Sequence, residues 1–222
     1  MHGPAGARPV TQAAGCTVVD AAQAAALAQS LAGPGHAVVP GFLDAALVRE
    51  LALELDGRAV RGELRAAAVG AGARRMVLED VRGDRIQWLR EPGTRAEAAA
   101  LSRLEALRLA LNERLYLGLH ELECHYALYP PGAHYARHLD RSPAGVERVV
   151  SIVLYLNPGW DARDGGELRL HLPDGTRDVV PQGGTLAVFL SERLEHEVRP
   201  ATRPRRSLTG WFRRRPLGAP LV

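Results

Sequence analysis

The chain of 222 residues shows two successive patterns of apolar and polar positions. In the first half, apolar residues recur three and four positions apart, which predicts amphipathic helices at 20–31, 44–56 and 94–117. Asp20, Asp44 and Thr94 stand where helix N-caps belong. The first half is therefore predicted to be mainly helical, and its last helix is the longest.

From Glu121 onward the pattern changes to short alternating or apolar runs, which predict strands. Turn residues such as "PPG", "NPGW", "DGG", "PDG" and "QGG" separate many of these runs. The predicted strands are 121–129, 135–140, 148–157, 166–172, 184–190, 196–201 and 206–212. Helices followed by strands indicate an α+β fold rather than alternating βαβ units. We expect a jelly roll, or double-stranded β-helix, with the N-terminal helices packed on one face.

The length favours one domain. Residues 1–15 hold few bulky apolar groups, so we expect a disordered leader. A single domain would then cover 16–215, with mainly helical support at 16–118 and the jelly roll at 119–215. The last residues, 216–222, are expected to form a short tail.

Composition and charge restrict the function classes. All 28 basic residues are arginine, and 25 acidic residues leave a net charge of only +3. Arginines scattered among acids make nucleic acid an unlikely partner. The two cysteines form no CxxC motif, and no apolar run is long enough to span a membrane. We therefore expect a cytoplasmic protein, and we favour a monomer.

The stretch "YPPGAHYARHLDRSP" at 129–143 contains the first candidate chemistry. On a strand, His138 and Asp140 would point to the same face and could hold one metal ion. This His-x-Asp pair is common by chance, so a third ligand is needed, and His196 at a later strand is the best candidate. Two histidines and a carboxylate suit Fe(II) with three open positions, or zinc with one.

Arg205 favours iron over zinc. Alternation along 205–212 places Arg205, Ser207, Thr209 and Trp211 on one face, and Leu208 and Phe212 on the other. An arginine facing the interior beside a metal needs an anion to offset its desolvation. A keto acid or dicarboxylate with one end on the iron and the other on the guanidinium would supply that anion.

Several motifs in order carry a family resemblance: "VRGDRIQWL", "YPPGAHYARHLD", "RVVSIVLYLN", "DGGELRL" and "HEVRPATRPRRSLTGWF". Together they resemble the Fe(II)- and 2-oxoglutarate-dependent dioxygenases. Among these, the resemblance is strongest to the prolyl 4-hydroxylase branch, which includes the hypoxia-inducible-factor prolyl hydroxylases and their bacterial relatives. It extends from about Arg82 to Phe212.

The resemblance implies a role for each matching position. The iron ligands would be His138, Asp140 and His196, and Arg205 would bind the distal carboxylate of 2-oxoglutarate. The cosubstrate pocket would be lined by Tyr129, Tyr155, Thr209 and Leu168. On the substrate side would lie Trp211 and Trp88, with a mobile loop near 70–90 that closes over the substrate. We also expect Asp84 of this loop to pair with Arg148 and so to tie the loop to the core strand. No separate acid or base residue is predicted.

The resemblance also implies an activity, namely hydroxylation of a prolyl residue in a protein with release of succinate and CO2. The reaction would use O2, with ascorbate as a further cofactor. The expected partner is a proline-containing loop of a protein, and the bacterial relatives suggest a translation factor such as elongation factor Tu. Two alternatives stay open: the same chemistry on a small molecule or free amino acid, and a non-catalytic jelly-roll module that binds or senses metal.

Overall fold

Each of the three helices begins at a side chain that caps it. The computed structural model describes residues 20–68, 76–78, 80–140 and 147–215. The helices are α1 (Ala21–Ala32), α2 (Ala45–Val60) and α3 (Arg95–Leu115). The side chains of Asp20, Asp44 and Thr94 accept hydrogen bonds from backbone N–H groups of the first turns, as N-caps do. All three predicted helices and their caps are confirmed.

The helix ends differ slightly from the prediction. The last helix, α3, stops at Leu115 because Tyr116 adopts a left-handed conformation with φ of 51° and ends the helix as its C-cap. The second helix, α2, continues to Val60, beyond the predicted limit at residue 56. In the described ranges, no helix is both long enough and apolar enough to cross a membrane.

Two antiparallel sheets follow from the strand pattern and form a jelly roll. The larger has the order β1-β9-β6-β11-β4-β3-β2, and the smaller β5-β10-β7-β8. The strands are β1 (His36–Val39), β2 (Arg65–Ala66), β3 (Arg85–Leu89), β4 (Leu119–Tyr129), β5 (Tyr135–His138), β6 (Glu147–Tyr155), β7 (Leu168–Leu172), β8 (Gly175–Val179), β9 (Leu186–Leu190), β10 (Glu195–Val198) and β11 (Arg205–Arg214). The predicted α+β class and jelly roll are confirmed.

Four of these strands were not predicted: β1, β2, β3 and β8. Of them, β3 falls inside the predicted mobile loop near 70–90, because Arg85–Leu89 pairs with β4 from Leu128 to Cys124. The mobility of this region and its closure over a substrate stay predictions. Within the loop, 70–75 and 79 lie outside the described residues, as do the predicted leader 1–15 and tail 216–222.

The large sheet has two different faces. One face packs on the helices, where Leu208 and Phe212 join the buried leucines of α2 and α3. The other face meets the small sheet, and Tyr129, Tyr155 and Leu168 belong to the apolar cluster between the sheets. Alternation along β11 therefore turns Leu208 and Phe212 toward the helices, and the residues between them toward the space between the sheets, where the functional side chains lie.

Candidate metal centre and anion pocket

The three predicted metal ligands meet at the end of the small sheet. His138 ends β5, and strand pairing places it opposite His196 on β10. Asp140 follows two residues after His138 and lies between the two rings: its Oδ1 is 3.6 Å from His138 Nε2, and its Oδ2 is 3.6 Å from His196 Nε2. The three ligand atoms lie within 4.8 Å of one another. The predicted grouping is thus formed.

Backbone carbonyls and a serine orient these ligands. His138 Nδ1 donates to the carbonyl of Ala136 at 2.8 Å, and His196 Nδ1 donates to the carbonyl of Leu194 at 3.1 Å. Since a carbonyl only accepts, both rings carry their proton on Nδ1 and leave the Nε2 lone pair for a metal. The carboxylate of Asp140 accepts from the Ser151 hydroxyl at 2.7 Å.

The electrostatics of the cluster also suit a cation. Burial alone would raise the pKa of Asp140, but His196, His138 and the Ser151 hydroxyl outweigh burial and hold this pKa below its ordinary value. Burial lowers the pKa of His196 to about 4, although Asp140 opposes the shift. At neutral pH the site therefore offers a carboxylate anion and a neutral His196 imidazole. Two imidazoles and one carboxylate are the donor set of non-haem Fe(II) enzymes.

An arginine without a complete set of partners lies between the sheets. Arg205 is 1% exposed, and its Nε donates to the carbonyl of Gly166 at 2.8 Å. Its Nη2 has no hydrogen-bond partner within the described residues, and neither has the buried hydroxyl of Tyr155. The rings of Tyr129 and Tyr155 each lie 5.2 Å from the guanidinium carbon.

These unpartnered groups are donors. Burial raises the pKa of Tyr155 to about 12, although Arg205 opposes the shift, so the phenol keeps its proton. A buried guanidinium with a free N–H beside a phenolic O–H calls for an anion with two acceptor oxygens. A carboxylate meets that requirement.

Gly166 explains why the sequence "DGG" precedes β7. Its φ is +73°, and an added Cβ would lie 2.9 Å from the Cβ of Ala201 and 3.2 Å from the Cδ of Arg205. Only glycine fits this conformation and spacing without displacing its neighbours. The close approach lets the Gly166 carbonyl orient Arg205.

Comparison with known proteins agrees with this geometry. Residues 124–213 match the 2OG-Fe(II) oxygenase superfamily. Prolyl hydroxylase EGLN3 of Mus musculus is 34% identical over 179 residues, which cover 76% of this chain and 72% of EGLN3. This chain belongs to the 2OG-Fe(II) oxygenase superfamily. Egl nine homolog 1 of Homo sapiens is 36% identical over 144 residues, 60% of this chain, but the match spans only 33% of that longer protein.

Two solved structures place the chain close to the prolyl hydroxylases of the superfamily. A prolyl-4-hydroxylase from Pseudomonas putida is 50% identical, with a TM-score of 0.79 over 86% of this chain and 99% of that one. A prolyl hydroxylase from Trichoplax adhaerens, in complex with a hypoxia inducible factor peptide fragment, is 28% identical. Its TM-score is 0.78, covering 86% of this chain and 89% of that one. The superfamily uses Fe(II) and 2-oxoglutarate, and the triad and Arg205 offer a place for each.

The remaining predicted cosubstrate residues face the same interior. Thr209 lies opposite His125 across the strands, and its hydroxyl is 3.0 Å from that of Ser207. Leu168 is buried on β7 opposite Val198. Their contacts with 2-oxoglutarate stay predictions, as do those of Tyr129 and Tyr155.

Aromatic side chains crowd the predicted substrate side of this oxygenase. The ring centroids of exposed Trp88 and buried Trp211 are 6.3 Å apart, and His125 contacts both rings at 4.8 and 5.7 Å. The guanidinium of Arg148 lies 3.5 Å over the Trp211 ring, with one nitrogen 3.4 Å from Glu123. Of these rings only Trp88 is exposed, and the substrate contacts of Trp88, Trp211 and Arg148 stay predictions.

The predicted pairing of Asp84 with Arg148 is wrong in this structure. Arg82 instead donates to both oxygens of Asp84, from Nε at 2.6 Å and from Nη2 at 3.0 Å. Asp84 and Arg82 are two apart in an extended segment, so their side chains leave the same face and meet directly. Asp84 forms no ion pair with Arg148 among the described residues, where Arg148 lies 3.4 Å from Glu123 instead.

Sequence reasoning missed Ser151 and gave no role to Tyr135. Ser151 was recognisable, because it is the one polar residue within "VVSIVLY" and shares a strand face with Tyr155. Tyr135 stacks on His138 with ring centroids 3.6 Å apart. No sequence signal indicated that contact, since it depends on how the turn before β5 is folded.

Proposed function

We propose that this protein hydroxylates a prolyl residue of a protein substrate, with Fe(II), 2-oxoglutarate and O2. The observation that carries the proposal is the pairing of two incomplete sites between the same sheets. One is a triad with its metal-binding atoms free, and the other is buried Arg205 with an unpartnered N–H. A bifunctional keto acid would complete both.

The chain's own residues would hold the iron, bind and neutralise the cosubstrate carboxylate, and keep water out of the site. His138, Asp140 and His196 would hold the iron, with their orientation set by two carbonyls and Ser151. Arg205 would clamp the distal carboxylate, and the Tyr155 hydroxyl would add a second donor. Leu168 would pack on the carbon chain of 2-oxoglutarate. Because Arg205 and Tyr155 are buried, these polar contacts would form away from bulk water, where they are strongest.

The bound iron supplies oxidative chemistry that no side chain here can provide. In the balanced reaction, O2 gives one oxygen atom to the substrate C–H bond and one to 2-oxoglutarate, which becomes succinate and CO2. Neither a general acid nor a general base from the protein is required by this stoichiometry.

A protein substrate is supported by the relatives. The Pseudomonas putida protein, half identical to this chain, is a prolyl-4-hydroxylase, and the Trichoplax adhaerens protein was solved with a peptide fragment. Exposed Trp88 beside Trp211 offers a surface on which a proline ring would pack. We extend the proposal to a proline-containing loop of a translation factor in the cytoplasm, with ascorbate maintaining the iron and the protein acting as a monomer.

Oxygen incorporation tests this proposal. Proteins from cells with and without the enzyme are compared by mass spectrometry, and we expect prolines that carry one additional oxygen atom only when the enzyme is present. Succinate release should rise with protein extract. Release that rises instead with free amino acids would point to a small-molecule oxygenase, and no turnover despite bound iron would point to a metal-binding module.

Removing a ligand is the sharpest test of the iron site. Because losing a group that merely orients a ligand already weakens metal binding about 10- to 100-fold, His138→Ala or Asp140→Ala should weaken it by at least ~100-fold. Decarboxylation of 2-oxoglutarate should then be abolished. His120→Ala, which removes an exposed histidine of β4, is the matched control and should retain both properties. Iron binding that survived in either ligand variant would contradict the assignment.

A further inference from the structure

A continuous stack links the metal ligand His138 to a charged pair outside the triad. The ring of Tyr135 lies parallel to the imidazole of His138, with centroids 3.6 Å apart and planes 17° apart. On Tyr135 lies the guanidinium of Arg82, with its carbon 4.7 Å from the ring centroid. The order is therefore guanidinium, phenol ring, metal-binding imidazole.

Arg82 is held in this position by its own partners. It donates twice to the carboxylate of Asp84, which is 2% exposed. The backbone of the same segment pairs with the strand that carries Tyr135: Gly83 donates to His134 at 2.9 Å, and Ala136 donates to Val81 at 2.8 Å. Residues 81–84, here called the tether segment, therefore add a short stretch of pairing along β5.

The tether segment also forms the wall of a cleft of about 510 Å³. Arg82, Gly83 and Asp84 line it on one side, and the turn from Pro130 to His134 lines another. The three metal ligands are not part of its lining. The stack therefore connects a solvent-accessible cleft to an iron ligand that lies outside it.

We propose that Tyr135 is a positioning residue that couples the tether segment to the metal centre. The hydrogen bond from Nδ1 to Ala136 fixes one edge of the His138 ring, but it leaves the ring free to tilt about that bond. The Tyr135 ring removes this freedom on one face, and the cation of Arg82 holds Tyr135 in place through its attraction to the π face. Metal affinity and order of the tether segment are then linked, and the linkage is reciprocal.

The coupling is distinct from ordinary core packing. Tyr135 is half-buried and packs at the edge of the apolar cluster between the sheets, but its ring faces are in contact with the His138 imidazole and the Arg82 guanidinium. Packing alone would make Tyr135 matter for global stability. Positioning predicts instead that its loss changes metal affinity while the fold is retained, and that an aromatic ring without the hydroxyl is sufficient.

The first test measures Mn(II) binding to the metal-free full chain, with free Mn(II) read by electron paramagnetic resonance and no cosubstrate present. Tyr135→Leu should raise the Mn(II) dissociation constant about tenfold, in the range seen when groups that orient metal ligands are removed. Tyr135→Phe should stay within about twofold, because the stack survives. The double variant Arg82→Gln, Asp84→Asn removes both charges together and should weaken binding about threefold.

Tyr116→Leu is the matched control, since it removes a tyrosine that is exposed at the end of α3. Unchanged Mn(II) affinity in Tyr135→Leu would overturn the coupling, and so would an equal loss in Tyr135→Phe, which would assign the effect to the hydroxyl. The inference rests on the proposed iron site. A wild-type chain that bound no Mn(II) would overturn that site as well, whereas normal wild-type binding with unaffected variants would overturn the coupling alone.

The second test reads the reciprocal effect at the tether segment. Hydrogen exchange of the Gly83 and Ala136 amides, whose bonds join this segment to β5, is followed with and without saturating Mn(II). Metal should slow their exchange in the wild type and in Tyr135→Phe. In Tyr135→Leu the slowing should be lost. Equal slowing in Tyr135→Leu would show that the metal acts on the segment by another route and would overturn the proposal.

Discussion

The two ends of the site are prepared for their ligands in different ways. At the metal end, on the small sheet, the second polar atom of each ligand already has a partner: Ala136 for His138, Leu194 for His196 and Ser151 for Asp140. At the anion end, on the large sheet, Arg205 and Tyr155 keep buried donor atoms without partners among the described residues. The ligand side chains of the metal end are therefore oriented before a metal binds, whereas the donors of the anion end lack hydrogen-bond partners until an anion binds.

The difference has an energetic consequence. A buried donor without a partner costs about 1–3 kcal/mol, and an anion that satisfies it recovers that cost on binding. The anion end thus gains affinity for a carboxylate because binding gives its unpaired donors a partner. The metal end gains affinity for a metal ion because its ligands need little rearrangement. We therefore expect the two ends to respond independently to substitution.

Among substitutions that leave the three metal ligands in place, the largest effect is expected at the anion end. Arg205→Ala should raise the concentration of 2-oxoglutarate needed for half-maximal decarboxylation about 100-fold or more, because it removes a buried charge that pairs with a carboxylate. Mn(II) binding without cosubstrate should stay within about twofold. The first quantity is measured by succinate release over a range of 2-oxoglutarate, and the second by Mn(II) titration.

Arg206→Ala is the matched control for Arg205→Ala. Arg206 is the next residue on β11, points to the other side of the sheet and pairs with Asp56 on α2. Its loss should leave the 2-oxoglutarate requirement unchanged. Normal dependence on 2-oxoglutarate in Arg205→Ala would contradict the role of Arg205. A loss of Mn(II) affinity as large as the loss of cosubstrate affinity would contradict the independence of the two ends.

A smaller effect is expected at the metal end from Ser151→Ala. The carboxylate of Asp140 would lose its hydroxyl donor, and Mn(II) affinity should fall about tenfold. At saturating metal, the dependence on 2-oxoglutarate should stay within about twofold of the wild type. Ser191→Ala is the control, since Ser191 bonds to Ser151 and not to Asp140. An equal loss of Mn(II) affinity in Ser151→Ala and Ser191→Ala would contradict a specific role of the Ser151 hydroxyl in orienting Asp140.

The fold and the main ligands were predictable because each depends on local patterns. Capping residues placed all three helices, and alternation along β11 placed Arg205 on the inner face. His138, Asp140 and His196 were candidates from a short motif and a later strand, and the ordered motifs of the family resemblance gave them their roles as iron ligands. In such cases, side-chain direction follows from strand or helix periodicity.

What failed to be predicted depends on contacts between distant segments. The strand Arg85–Leu89 was not predicted, because its pairing with β4 is long-range and its run of five residues is short. The partner of Asp84 and the stack of Tyr135 on His138 depend on how residues 81–84 lie along β5. Sequence periodicity does not indicate which of several possible partners a side chain or strand contacts, because that depends on tertiary packing.

The smallest expected effect concerns pH and contrasts one buried histidine from each sheet. Burial lowers the pKa of His196 and of His125 to about 4, and Arg82 and Arg148 add to the shift at His125. An unfolded histidine has a pKa of about 6.5, so the unfolded chain binds more protons than the folded one between these values. The metal-free protein should therefore lose stability as pH falls below about 6.5.

Each histidine should contribute about 1 kcal/mol to the loss of unfolding free energy between pH 6.5 and 5.5. Urea unfolding of the metal-free chain at the two pH values measures the sum. In His125→Met, which keeps a side chain of similar size beside Trp88 and Trp211, the share of His125 should disappear and about half of this pH dependence should remain. The comparison between pH values within each variant is informative even if the substitution itself changes stability. If the pH dependence were as steep in His125→Met as in the wild type, the prediction would be wrong. His125 would then have the same pKa in the folded and unfolded chains, and its burial beside the two tryptophans would not lower that pKa.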